Sequence, residues 1–74
     1  MSKPLISSIH DICAGKPCFT GTRIPVYIIL ELLEAGMSWD KILRGYPSLT
    51  KKHIHAALHY AAEILKNQEY VAFA

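Results

Sequence analysis

Ser38-Trp39-Asp40-Lys41-Ile42-Leu43-Arg44-Gly45-Tyr46-Pro47-Ser48-Leu49-Thr50 reads as a capped short helix, a turn, and the cap of another helix. Ser38 is a good N-cap, because its hydroxyl can accept from a free first-turn amide, and Asp40 suits the positive end of the helix dipole. Trp39, Ile42 and Leu43 form one apolar side, while Lys41 and Arg44 face away. Gly45-Tyr46-Pro47-Ser48 closes the helix, since residues before proline avoid the helical region. Thr50 then caps a third and longest helix, expected to run to about Asn67, with Ile54, Ala57, Leu58, Ala61 and Leu65 as its core stripe. Its many alanines allow close helix approach, and Lys52, His55 (or Ala56) and His59 lie along a different side.

Upstream, Val26, Ile29, Leu30 and Leu33 follow the i, i+3, i+4, i+7 spacing of a buried stripe, with Glu31 and Glu34 on the other side. Pro25 suits a first helical position, and Gly36 ends this helix in the left-handed cap conformation. Gly15-Lys16-Pro17-Cys18-Phe19-Thr20-Gly21-Thr22-Arg23-Ile24-Pro25-Val26 feeds it. Its glycines permit unusual backbone angles and its prolines fix φ, so it reads as a short extended hairpin built for shape. Ile9 to Phe19 are expected to form two short β pieces around the turn Ala14-Gly15-Lys16-Pro17, with Asp11 placed to accept from turn amides. Residues 1–8 are expected to be frayed or extended along a partner.

These pieces predict a mainly α fold: a compact, right-angled trihelical arrangement with a helix-turn-helix from Ser38 to about Asn67, preceded by a short N-terminal β-hairpin or extended segment. The whole of 1–74 is one small domain, with the hairpin at 9–24, the trihelical part at 25–67 and a tail at 68–74. A chain of 74 residues buries only about 60% of its unfolded surface. With 51% hydrophobic residues and a mean hydropathy of +0.20, a homodimer or larger oligomer is expected to hide the remainder. The longest apolar run, 24–30, is far short of the roughly 18–20 residues of a membrane helix, and Pro25 breaks it. Met1-Ser2-Lys3-Pro4 carries no apolar signal core, so a cytoplasmic location is expected.

The signature Gly21-Thr22-Arg23-Ile24-Pro25-Val26, preceded by Gly15-Lys16-Pro17, resembles that of the bacterial family called domain of unknown function 433. The likeness continues through Ala35-Gly36-Met37-Ser38, Ile42-Leu43 and Tyr46-Pro47-Ser48-Leu49-Thr50, and ends in residues 54–63. It covers nearly the whole chain. The resemblance implies the homeodomain-like fold with an extended N-terminal segment. It also implies an antitoxin role, in which the protein pairs with a cognate, small ribonuclease-like toxin and represses its own promoter.

Net charge is only +2, but its distribution is uneven. Residues 31–40 hold Glu31, Glu34 and Asp40 and no base, whereas 41–52 hold Lys41, Arg44, Lys51 and Lys52 and no acid. Lys51, Lys52 and His53 occupy the first turn of the third helix, where cations oppose the dipole at roughly 0.3–1 kcal/mol each. Relatives often carry acids there, and this chain departs from that habit. An external phosphate would explain the choice, using both lysines and the free amides. The alternative is two solvated lysines with a tolerated penalty. The expected contacts to double-stranded DNA are Lys41, Arg44, Thr50, Lys51, Lys52 and His55, with surface roles as the alternative for Lys41, Arg44 and His55.

Tyr70, Val71 and Phe73 in the tail are the expected partner-binding residues, either as an added strand or swapped across a dimer. The alternative is a frayed terminus. Arg23 is expected to pair with Asp11 or Glu31, with contact to phosphate or a partner chain as the alternative, and Trp39 and Tyr46 are expected to pack rather than stack on bases. His55 and His59 stand at i and i+4, but no acid between them completes a zinc-protease pattern, so no metal site is expected. Cys13 and Cys18 are expected to be reduced, partly buried thiols. No nucleophile–base pattern is visible, so the chain is not expected to be an enzyme, and no cofactor or small-molecule substrate is expected. A protein-interaction module of the same fold without DNA binding is the other reading.

Overall fold

The computed structural model of the chain describes residues 4–7 and 15–67. Two short strands, β1 (Ile6–Ser7) and β2 (Cys18–Phe19), precede three helices, α1 (Val26–Glu34), α2 (Trp39–Gly45) and α3 (Lys51–Lys66). The strands pair antiparallel, Ile6 opposite Phe19 and Ser7 opposite Cys18. The expected architecture is therefore present, but the first strand lies earlier than the hairpin expected within 9–19. It comes from the stretch expected to be frayed. The register follows burial: Phe19 is fully buried, and Ile6 opposite it packs on the same core. Thr20 locks the pairing, donating its N–H to Leu5 O at 2.9 Å and its hydroxyl to Pro4 O at 2.7 Å.

The signature after β2 is a stitched turn. Thr22 N–H donates to Phe19 O at 3.0 Å across Gly21, whose φ of +81° is a conformation that L side chains resist. The Thr22 hydroxyl donates to Phe19 O at 2.8 Å and accepts from Ile24 N–H at 3.1 Å. Pro25 is the N-cap rather than the first helical residue, with an extended ψ of 142° that lets it bridge to Cys18. Pro17 O then accepts from the otherwise unpartnered Val26 N–H at 3.0 Å. The hairpin thus does for α1 what a capping side chain does elsewhere.

α1 ends as expected. Gly36 adopts φ +90°, Met37 N–H donates to Leu32 O at 3.1 Å and Gly36 N–H to Leu33 O at 3.0 Å, which is a Schellman cap. Ser38 caps α2 by accepting from Lys41 N–H at 3.2 Å. The core between the helices is Phe19, Val26, Ile29, Ile42, Leu49, Ile54 and Ala57. Each large side chain among them contributes about 1.5–3 kcal/mol by burial.

The expected stripe of α3 is half right. Ile54 and Ala57 are buried, but Leu58 and Leu65 are exposed, at 42% and 64%. α1 is a nine-residue helix and α3 a sixteen-residue one, so α1 does not cover α3 along its whole length. Leu49, unassigned by periodicity because it sits in the turn, fills the core instead. Cys18 is fully buried as a free thiol, more deeply than expected, and Cys13 lies outside the described residues. Arg23 makes no ion pair with Glu31 among the described residues, and Asp11 lies outside them.

Candidate nucleic-acid interface

The start of α3 has a specific construction. Thr50 is the N-cap in an extended conformation (φ −126°, ψ 176°), and its N–H donates to His53 Nδ1 at 3.0 Å. This is a capping-box arrangement with histidine where glutamate or glutamine is usual. Accepting that bond occupies the Nδ1 lone pair. The same ring meets the buried Phe19 edge-on, with centroids 5.4 Å apart. His53 is therefore a bracket between β2 and α3.

Lys51 and Lys52 remain. Both are exposed, no acid shares their turn, and neither forms an ion pair among the described residues. Their backbone amides also have no acceptor among the described residues, since the first bonds of the helix are donated by His53 and Ile54. Two free N–H groups and two ammonium groups thus share one exposed helix start, which is the composition of an anion site. Thr50, Lys41, Arg44 and His55 are exposed as well, so the structure presents all six expected contact residues to solvent from α2, α3 and the turn joining them. Arg44 lies in the last turn of α2, where a cation also favours that helix's own dipole.

The three histidines of α3 go separate ways. His55 packs edge-on against Trp39, centroids 5.0 Å apart, and so docks α3 to the start of α2. His59 faces Glu63 at 3.8 Å, and Lys66 approaches the same carboxylate at 3.9 Å. All three side chains are substantially exposed, so these pairs are worth little. No group of three or more metal-ligating side chains occurs among the described residues.

One surface was not visible in the sequence. An open groove of about 530 Å³ runs between the start of α1 and the end of α3, walled by Pro17, Tyr27, Leu30, Ala61, Ile64 and Leu65. Its lining is almost wholly apolar, and Lys16 stands at its edge with Nζ 5.0 Å from the centre of the Tyr27 ring. The expected partner-binding residues Tyr70, Val71 and Phe73 lie outside the described residues. No described helix is long and apolar enough to cross a membrane.

Comparison with known proteins matches this architecture. The family described as protein of unknown function (DUF433) matches residues 6–61. The uncharacterized protein y4eO of Sinorhizobium fredii is 37% identical over 60 residues, which is 81% of this chain but 27% of that protein. The chain therefore spans about a quarter of that curated relative. The crystal structure of a DUF433 member from Anabaena variabilis superposes with a TM-score of 0.78 at 30% identity, covering 82% of this chain and 60% of the other.

Proposed function

The chain belongs to the DUF433 family, and within it we propose a DNA-binding protein of antitoxin type that docks duplex DNA through the start of α3 and pairs with a toxin through another surface. One observation carries the DNA half: Lys51 and Lys52 bring two ammonium groups and two backbone amides with no acceptor among the described residues to the exposed start of α3, the second helix of the helix-turn-helix. Phosphate docking turns an unfavourable charge placement into a favourable one, because the bound anion satisfies the amides and both ammonium groups together. Lys41 and Arg44 add phosphate contacts from α2, and His55 lies one turn further along α3. Promoter repression follows if the bound site overlaps the chain's own promoter. The toxin-neutralising half rests on the family resemblance and on the amount of apolar surface left open, which suits a protein partner.

The test is fluorescence anisotropy of the full chain on duplex DNA from its own promoter across 50–200 mM salt. Each phosphate neutralised contributes about −0.9 to the slope of log K against log salt. The double variant Lys51→Gln, Lys52→Gln is expected to flatten the slope by about 2 per bound protomer. Binding that ignores salt, or a slope unchanged by the variant, sinks the proposal. The open groove favours a second reading, a protein-interaction module without DNA affinity. That reading predicts a partner complex and no DNA binding even at the lowest salt.

A further inference from the structure

The groove between α1 and α3 needs an occupant, and the sequence supplies one. The described residues end at Asn67, two positions beyond Leu65 in the groove wall, and the chain continues Gln68-Glu69-Tyr70-Val71-Ala72-Phe73-Ala74. Tyr70, Val71 and Phe73 are the side chains an apolar groove takes. Glu69, the one charged residue of this segment, precedes them and complements Lys16 at the groove's edge. Reach is sufficient: seven extended residues span up to about 23–25 Å, while the groove wall from Tyr60 to Leu65 rises only about 7.5 Å.

We infer that residues 70–73 of one copy fill the α1–α3 groove of a second copy, and the reverse, so that the protein is a dimer held by exchanged tails. Exchange is favoured over folding back because α3 itself forms the groove's wall. Entering its own groove requires the chain to reverse immediately after Asn67. Residues 66–74 contain neither Gly nor Pro, the residues that most readily make such a reversal, and Asn67 itself has φ −94° rather than a left-handed angle. Tyr, Val and Phe favour extended backbone, which suits an outstretched tail better than an immediate reversal. A twofold exchange satisfies both tails and both grooves with one self-complementary contact. The inference stands whether or not α3 meets DNA.

Sedimentation equilibrium of the full chain tests it with two kinds of variant. Tyr70→Ser with Phe73→Ser removes the tail's anchors, and Leu65→Glu, at an exposed position, spoils the groove. Circular dichroism checks that each variant keeps its helices. The wild type is expected to be a dimer, and each variant to dissociate at least tenfold more readily. An equimolar mixture of the two is expected to form heterodimers, because the tail of the Leu65→Glu copy meets the intact groove of the other. A monomeric wild type, variants as dimeric as the wild type, or a mixture that yields no heterodimer overturns the inference. The last outcome, with dissociated variants, points to a different contact between copies.

Discussion

His53 separates two contributions that meet at the start of α3, and three substitutions resolve them. Its Nδ1 accepts the Thr50 N–H at 3.0 Å, and its ring lies edge-on to Phe19 at 5.4 Å between centroids. Losing a helix cap costs about 0.5–2 kcal/mol, and this cap is exposed, so water replaces part of it and about 1 kcal/mol is expected. An edge-on aromatic pair contributes about 0.5–1.5 kcal/mol beyond area burial. His53→Gln keeps an acceptor of capping-box type and loses the ring; His53→Phe keeps a ring and loses the acceptor; His53→Ala loses both. Gln and Phe are each expected to cost about 1 kcal/mol, and Ala about 2. In a domain of this size each kcal/mol moves Tm by roughly 4–8 °C, so thermal melts followed by circular dichroism resolve all three. A Gln variant as unstable as Ala, together with a Phe variant as stable as wild type, would show that the cap contributes nothing and that His53 is only a packing group.

Two further substitution pairs test the packing. Ile29→Ala opens a cavity in the centre of the core and is expected to cost about 2–5 kcal/mol, most of the stability of so small a domain, whereas exposed Leu58→Ala is expected to cost less than about 1 kcal/mol in urea denaturation. If the two cost the same, the burial assigned to α3 is wrong. Gly36→Ala forces a side chain into φ +90° and is expected to destabilise by about 1–2 kcal/mol, although open space surrounds the site. Gly45→Ala, at the end of α2 with ordinary backbone angles and equal space, is expected to be neutral or stabilising by up to about 1 kcal/mol. Equal effects at the two glycines contradict the Schellman cap.

What the sequence disclosed was local. Ser38, Thr50 and Gly36 act within four residues of where they stand, so capping chemistry placed all three helices closely. Periodicity gave α1 its buried face for the same reason. It failed on Leu58, which lies at the edge of the face that buries Ile54 and Ala57, and on Leu65, because a repeat identifies a helix face but neither how wide its cover is nor how far the neighbouring helix extends along it. β1 lies earlier than local sequence suggests because its partner is eleven or more residues away, and the register is set where Ile6 and Phe19 meet at the core. Histidine is not the usual third residue of a capping box, where glutamate or glutamine stands. The spacing Thr50-x-x-His53 was nonetheless the signal that could have found it. The groove had no signal at all, being a product of two helix lengths and one crossing.

The same mismatch in length divides α3 by role. Its basic start and its apolar end are about 20 Å apart along the axis, far enough for changes at the two ends to act independently on stability. Their effects on DNA binding differ in kind. Replacing Lys51 and Lys52 with Gln removes phosphate contacts from every protomer, so the salt slope falls while the sedimentation of the free protein stays as it was. Leu65→Glu leaves each protomer's lysines and free amides in place but dissolves the exchanged dimer, so one DNA site is met by one protomer instead of two. The slope is then expected to fall by half, and the affinity to drop by far more, because the second contact is no longer held at high local concentration. A Leu65→Glu variant that is monomeric yet keeps the wild-type slope places the DNA contacts on a single protomer, and the two ends of α3 then serve separate partners.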